Sequence, residues 1–178
     1  MASENLDQVK KIDVGCGTNK KEGFFGLDIT QYEGVDLEFD ARWNRLPFKD
    51  NQLEHIYCSH FMEHLTFDEA IFVLNEFYRC LIVGGKLEIV VPHAMSYAQV
   101  VDLSHKSAWT EDTFGYITPD NKYYYSWFYT DPKTNERIPV INKWKILKND
   151  QTPPYEYTAK GWVELKLREV HAFLEKTE

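Results

Sequence analysis

Short apolar runs separated by turn residues organise the first half of the chain, and their spacing switches between the strand and helix periods. Lys11-Ile12-Asp13-Val14 predicts a strand stopped by Gly15-Cys16-Gly17, and Phe24 to Ile29 predicts a second. Val35 to Ala41, where apolar and acidic residues alternate, predicts a third. Leu53 to Ser59 predicts a fourth, entered through the turn residues Phe48-Lys49-Asp50-Asn51. Thr66-Phe67-Asp68-Glu69 has the form of a capping box, so a helix is expected to start there. Ile71, Leu74, Phe77, Tyr78 and Leu81 share one face of it, and Gly84-Gly85 is expected to end it. Lys86 to Val91 is then a fifth strand closed by Pro92. Strand, helix, glycine turn and strand form a βαβ unit, which implies an α/β fold built on a mostly parallel sheet.

The pattern changes after residue 92. Aromatic residues crowd Tyr116 to Tyr129, Ile138 to Leu147 has the composition of a strand, and Val170 to Glu175 predicts a long late strand with helix as the competing assignment. No stretch has the composition of a linker, so residues 1–178 are expected to form one domain. No apolar run approaches the ~20 residues that cross a bilayer, and the first ten residues are polar and of mixed charge, unlike a signal sequence. The expected location is cytoplasmic.

Composition narrows the picture further. Hydrophobic residues make up 43% and charged ones 27%, which suits a packed domain rather than a disordered chain. The net charge of −8 argues against a nucleic-acid partner, whose affinity would come mainly from a basic surface. Cys16, Cys58 and Cys80 are odd in number and form no CxxC pair, against both a disulfide framework and a cysteine zinc site.

The chemistry is expected at strand ends. Glycines directly after a strand let backbone approach a ligand at the carboxyl edge of a parallel sheet. Asp28, after the second strand, is placed to accept hydrogen bonds from ribose hydroxyls, and Asp40 closes the third strand in the same way. A ligand-free tight turn and solvated loop aspartates are the competing readings for each feature alone. Their order along the chain makes them a constellation.

That constellation resembles the class I S-adenosylmethionine-dependent methyltransferases, in the small branch lacking the first helix. The resemblance runs through Ile12 to Lys20, Gly26-Leu27-Asp28-Ile29, Phe39-Asp40-Ala41, Leu46 to Asn51, Ser59-His60-Phe61-Met62-Glu63-His64-Leu65 and Val83 to Leu87. Asp102-Leu103-Ser104-His105-Lys106, with Thr110 and Phe114, resembles the segment that follows the fifth strand in that family. The resemblance implies a Rossmann-like sheet of seven strands, mostly parallel with an antiparallel late strand and reduced N-terminal helices. It implies that residues 9–92 form the cofactor-binding half and 93–178 the acceptor side. Asp13 belongs to the matched motif; Gly15, Cys16 and Gly17 would line the methionine part of S-adenosyl-L-methionine. Asp28 with Ile29 would face the ribose, Asp40 with Ala41 the adenine, and Ser59 with His60 the transferable methyl. The expected reaction is in-line methyl transfer to an oxygen, nitrogen or carbon of an unidentified acceptor, a small molecule or sugar.

Between Thr18 and Val35 the sequence departs from that pattern. Parallel neighbours ordinarily need a crossover of a dozen or more residues, whereas Thr18 to Gly23 and Thr30 to Gly34 are short. Five or six extended residues reach about 17 to 20 Å, enough to return along a short strand without a helix. Extended crossings and an open flank beside the cofactor are therefore expected. A dinucleotide site is the weaker alternative, since there is no GxGxxG and no helix after the glycines.

His60, His93 and His105 are the candidate catalytic residues, because a histidine near neutral pKa can take a proton from the acceptor. His60-Phe61-Met62-Glu63-His64 also has the letters of an inverted zinc-protease motif, which would need one helix through both histidines and a third ligand. Glu63 and His64 stand where some related methyltransferases carry a divalent-metal or acid/base site, with local capping and packing as the competing reading. No residue is assigned to a metal. A cofactor-binding module without turnover, and a metal-dependent hydrolase, are the rival functions. Tyr123 to Tyr129 reads as an acceptor-site wall or as cover for the core.

Overall fold

A computed structural model of the chain describes residues 6–119, 128–139, 143–151, 155–157, 163–165 and 169–178. Its centre is a sheet of seven strands. These are β1 (Lys11–Val14), β2 (Phe25–Asp28), β3 (Leu37–Glu38), β4 (Leu53–Ser59), β5 (Leu81–Pro92), β8 (Trp144–Gln151) and β11 (Glu169–Lys176). Their order is β3-β2-β1-β4-β5-β11-β8. The first five run parallel, while β11 is antiparallel to both β5 and β8. Two small hairpins lie outside it, β6 (Phe128–Thr130) with β7 (Arg137–Pro139) and β9 (Tyr155–Tyr157) with β10 (Val163–Leu165). This is the Rossmann-like, mostly parallel sheet with an antiparallel late strand expected from the sequence.

Helix α1 (Phe67–Cys80) starts at the expected capping box: the Glu69 amide donates to Thr66 Oγ1 at 3.4 Å and the Thr66 amide to Glu69 Oε2 at 2.7 Å. Its end differs from expectation. Gly84-Gly85 does not stop the helix, because the carbonyls of Arg79 and Cys80 are already taken by the Asn51 and Gln52 amides at 2.9 and 2.8 Å. Capped from the loop that enters β4, α1 needs no glycine, and the two glycines fall instead in a bulge of β5, Gly84 exposed and Gly85 buried. There Leu53 and His55 of β4 face Leu81 and Lys86. A second helix, α2 (Tyr97–Val101), is short, and none of the described helices is long and apolar enough to cross a membrane.

Two other strands differ from expectation. β3 is reduced to Leu37–Glu38, not Val35 to Ala41, because Asp36 folds its carboxylate back to the Gly26 amide at 2.6 Å and Asp40 accepts the Arg42 amide at 2.9 Å in an Asx-turn. The stretch Ile138 to Leu147 divides between the end of β7 and the start of β8, with residues 140–142 outside the described residues. Late strand β11 alternates half-buried and buried positions along its whole length, the signature of a strand rather than of the competing helix.

That alternation defines two unlike faces. On one, Ile12, Ile56, Leu87, Ile89, Ala172 and Leu174 lie buried with Leu74 and Phe77 of α1 in the apolar core. On the other, the loop between β1 and β2 lies on the sheet with no helix in it, as the short spacing predicted. Its Lys21 amide donates to Asp13 at 2.8 Å, and its ammonium meets Glu88 of β5 at 2.6 Å while lying 3.8 Å from the centre of the Tyr57 ring. Gly26 lets this loop come close. A Cβ there would fall 2.6 Å from Lys20 Cδ and 2.7 Å from Cys16 Sγ.

Candidate functional site

The carboxyl ends of β1, β2 and β4, with the turn after β3, open onto one cleft of about 230 Å³. Gly15, Asp28, Ile29, Asp40, Ala41 and His60 line it, which brings together six of the expected cofactor residues. Gly15 has φ +72°, and a Cβ on it would meet Phe61 at 2.8 Å, so only glycine lets the turn pass under that ring. The Gly15 and Cys16 amides both donate to the Leu27 carbonyl, and the Gly17 amide to Asp28 Oδ2 at 2.9 Å. Asp28 Oδ1 accepts from the Thr30 amide at 2.9 Å. Each carboxylate oxygen thus holds one backbone amide and keeps acceptor capacity for a ligand's hydroxyls. This geometry fits a ribose.

Asp13, Cys16, Gly17 and Ser59 do not line the cleft. Asp13 is buried and braces the β1–β2 loop through the Lys21 amide; desolvation raises its pKa against the pull of that bond. The Cys16 thiol is pushed up to about 11 by burial, with Asp13 and Asp28 adding to the shift, so it stays protonated. Gly17 acts on Asp28 from behind, and Ser59 ends β4 beside Val90.

Arg42 lines the cleft too. It grips Asp40 through Nε and Nη2, both at 2.9 Å, and this fork holds the Asp40 carboxyl below its usual range. The sequence reading named Asp40 without Arg42, although the i, i+2 spacing across a turn was the available signal.

His60 stands in the left-handed region at φ 53° immediately after β4. Its Nδ1 lies 3.1 Å from Glu63 Oε1 and its Nε2 3.1 Å from Glu169 Oε1, while Glu169 Oε2 lies 3.1 Å from His171 Nε2. The Glu63 hydrogen bond, helped by the charge of Glu169, raises the His60 pKa against the effect of burial. Sequence reasoning missed Glu169 because β11 delivers it from the far end of the chain.

Only residues 62–64 are helical in this segment, as a single 3-10 turn, and left-handed His60 lies outside it. The one continuous helix that the inverted zinc-protease reading requires is absent here.

His105 is brought close to Glu63 but His93 is not brought to the cleft. His93 is buried, its Nδ1 accepts from the Met95 amide at 3.0 Å, and its Nε2 lies 3.4 Å from Glu111. A tight turn at 93–96 and a bridge from His93 to Trp109 turn the ring inward, instead of toward the edge shared with His60. His105 Nδ1 lies 3.1 Å from the Gln99 carbonyl and its Nε2 4.0 Å from Glu63 Oε1. His64 packs its ring edge-on to that of His105 at 4.9 Å, with Nδ1 3.0 Å from Ser104 Oγ.

A second cavity, apolar and about 240 Å³, lies between α1 and residues 111–117, and it shares no lining residue with the cleft. Of the aromatic run Tyr123 to Tyr129, residues 123–127 lie outside the described residues.

A family model described as a methyltransferase domain matches residues 30–89. No curated protein matches the chain. Among solved structures, a SAM-dependent methyltransferase from Archaeoglobus fulgidus superposes with a TM-score of 0.62 at 16% identity, over 96% of this chain and 88% of that one. The YcgJ protein of Bacillus subtilis gives 0.58 at 13% identity, over 99% and 95%. The [4+2]-cyclase SpnF gives 0.58 at 12% identity, over 95% and 74%. At such identities the likeness is one of fold, and a fold hosts more than one reaction.

Proposed function

We propose that this chain is a class I S-adenosylmethionine-dependent methyltransferase that binds S-adenosyl-L-methionine in the cleft and moves its methyl group to a small-molecule acceptor, a reading supported by its fold and by the methyltransferase-domain match. One observation carries the reading: the turn after β1, Asp28 after β2, the Asp40–Ala41 turn and His60 after β4 converge on a single cleft in the order in which strands deliver them. Asp28 takes the ribose hydroxyls with the acceptor capacity that its two amide partners leave. Ala41 and the Arg42-held Asp40 border the adenine end, and the Gly15 turn borders the methionine end.

Bound there, the cofactor supplies a methyl already activated by its positive sulfur. What the protein adds is alignment, and holding two reactants in line is worth on the order of 7 to 11 kcal/mol. His60 occupies the acceptor side. Glu63 holds the proton on Nδ1 and Glu169 engages Nε2, so Nε2 takes a proton from the acceptor only in the neutral ring and once the acceptor displaces the Glu169 carboxylate.

Titration calorimetry is the direct test. S-adenosylmethionine or its demethylated product should bind one to one, and Asp28→Ala should weaken binding by about 1 to 3 kcal/mol through loss of charged hydrogen bonds. If the wild-type protein binds neither at millimolar concentration, the reading fails. With an acceptor found by screening, His60→Asn should lose about 10²- to 10⁴-fold in turnover while still binding cofactor. Retention of most of the rate would remove His60 from the proton path.

A further inference from the structure

Glu63 is fully buried, and its Oε2 has no hydrogen-bond partner among the described residues. A buried carboxylate oxygen left unpaired is costly unless something positive faces it. One donor atom from each of Glu63, His64 and His105 lies within 4.8 Å of the other two.

The hydrogen bonds around the two imidazoles fix which nitrogen carries the proton. His105 Nδ1 faces the Gln99 carbonyl, which can only accept, so Nδ1 is protonated and Nε2 of the neutral ring carries the lone pair. That lone pair faces carboxylate oxygens of Asp102 at 3.7 Å and Glu63 at 4.0 Å, an arrangement that calls for a cation. Ser104 Oγ gives its own hydrogen to Asp102 Oδ1 at 2.6 Å and so accepts from His64 Nδ1, which leaves the His64 lone pair on Nε2 as well. Both rings are therefore set to ligate through Nε2, each with its Nδ1–H held by an outer partner, as metal-binding histidines are.

From this geometry we propose that Glu63, His64 and His105 form a binding site for a divalent first-row transition ion of the zinc class. Two imidazoles and a carboxylate select such an ion over magnesium, and three protein ligands leave a coordination position for water or another small donor. His64 also lines the cleft, so that position borders the space assigned to the reactants.

The test uses the untagged, metal-stripped chain without S-adenosylmethionine, so its outcome is independent of cofactor binding. Titration with Co²⁺, followed by its visible absorption bands, should saturate at one ion per chain. Zn²⁺ should displace the Co²⁺ and raise the melting temperature, since an ion that binds only the folded state stabilises it. Equimolar Mg²⁺ should not displace it. His64→Ala and His105→Ala should each weaken Co²⁺ binding by more than about tenfold, and Ser104→Ala by about tenfold, the low end for an outer partner. His55→Asn, an imidazole outside the cluster, should bind as the wild type does. Circular dichroism checks each fold, and the half-buried His64 and exposed Ser104 positions keep the test open if Glu63→Gln does not fold. Absence of saturable Co²⁺ binding, binding that survives His64→Ala and His105→Ala alike, or displacement by equimolar Mg²⁺ would each overturn the assignment.

Discussion

The two faces of the central sheet are sealed by different physics. One is covered by α1, whose Leu74 and Phe77 join the buried side chains of β1, β4, β5 and β11 in a continuous apolar core. The other is covered between β1 and β2 by a loop that holds itself down through Lys21, Glu88, Asp13 and the Tyr57 ring. Parallel sheets ordinarily bury both faces under helices. Here a short polar clamp stands in for a helix on one of them. The substitution has a functional consequence, because the clamped loop is the continuation of the Gly15–Gly17 turn that borders the cleft. On the helix side, packing supports the fold as a whole; on the loop side, the contacts support the site.

The sharpest way to break this contrast is on the helix side. Phe77 is fully buried, so Phe77→Ala should cost about 3 to 5 kcal/mol in denaturant unfolding while the folded fraction keeps its cofactor affinity. Loss of affinity without loss of stability would reverse the division of labour. Next comes Gly26→Ala. Its Cβ would crowd Cys16 Sγ and Lys20 Cδ, and overpacking of this kind costs about 1 to 3 kcal/mol. Because Cys16 directly follows Gly15, which lines the cleft, calorimetry should show weaker cofactor binding along with the lower midpoint; unchanged binding would uncouple loop from site. The smallest effect is expected from Lys21→Met. Lys21 is a third exposed, so after solvent screening the ion pair is worth about 0 to 1 kcal/mol, and the deficit should shrink as salt rises. A deficit of the size seen for Phe77→Ala would make the loop a structural equal of the helix.

Features written in neighbouring residues were legible in the sequence. β4 falls at Leu53–Ser59 as expected, the capping box opens α1, and the glycine turn and Asp28 stand at the cleft, since strand period, capping and turn chemistry are all local. Features that depend on distant partners were not. The end of α1 is decided by amides of residues 51 and 52, and the inward turn of His93 by its bridge to Trp109. The second carboxylate on His60 comes from Glu169, and no periodicity near His60 announces it. The proton positions on His64 and His105 depend in the same way on Ser104 and Gln99, which become their neighbours only in the folded chain.

The seat of β11 bears on how the protein is made. β8 precedes β11 in the chain, yet β11 lies between it and β5. During synthesis, β8 therefore leaves the ribosome with no strand to pair with in this sheet, and β5 keeps one open edge until residues 169–176 are translated. Glu169 arrives on the same segment, so the nascent chain closes its sheet and gives His60 its second carboxylate in one late event.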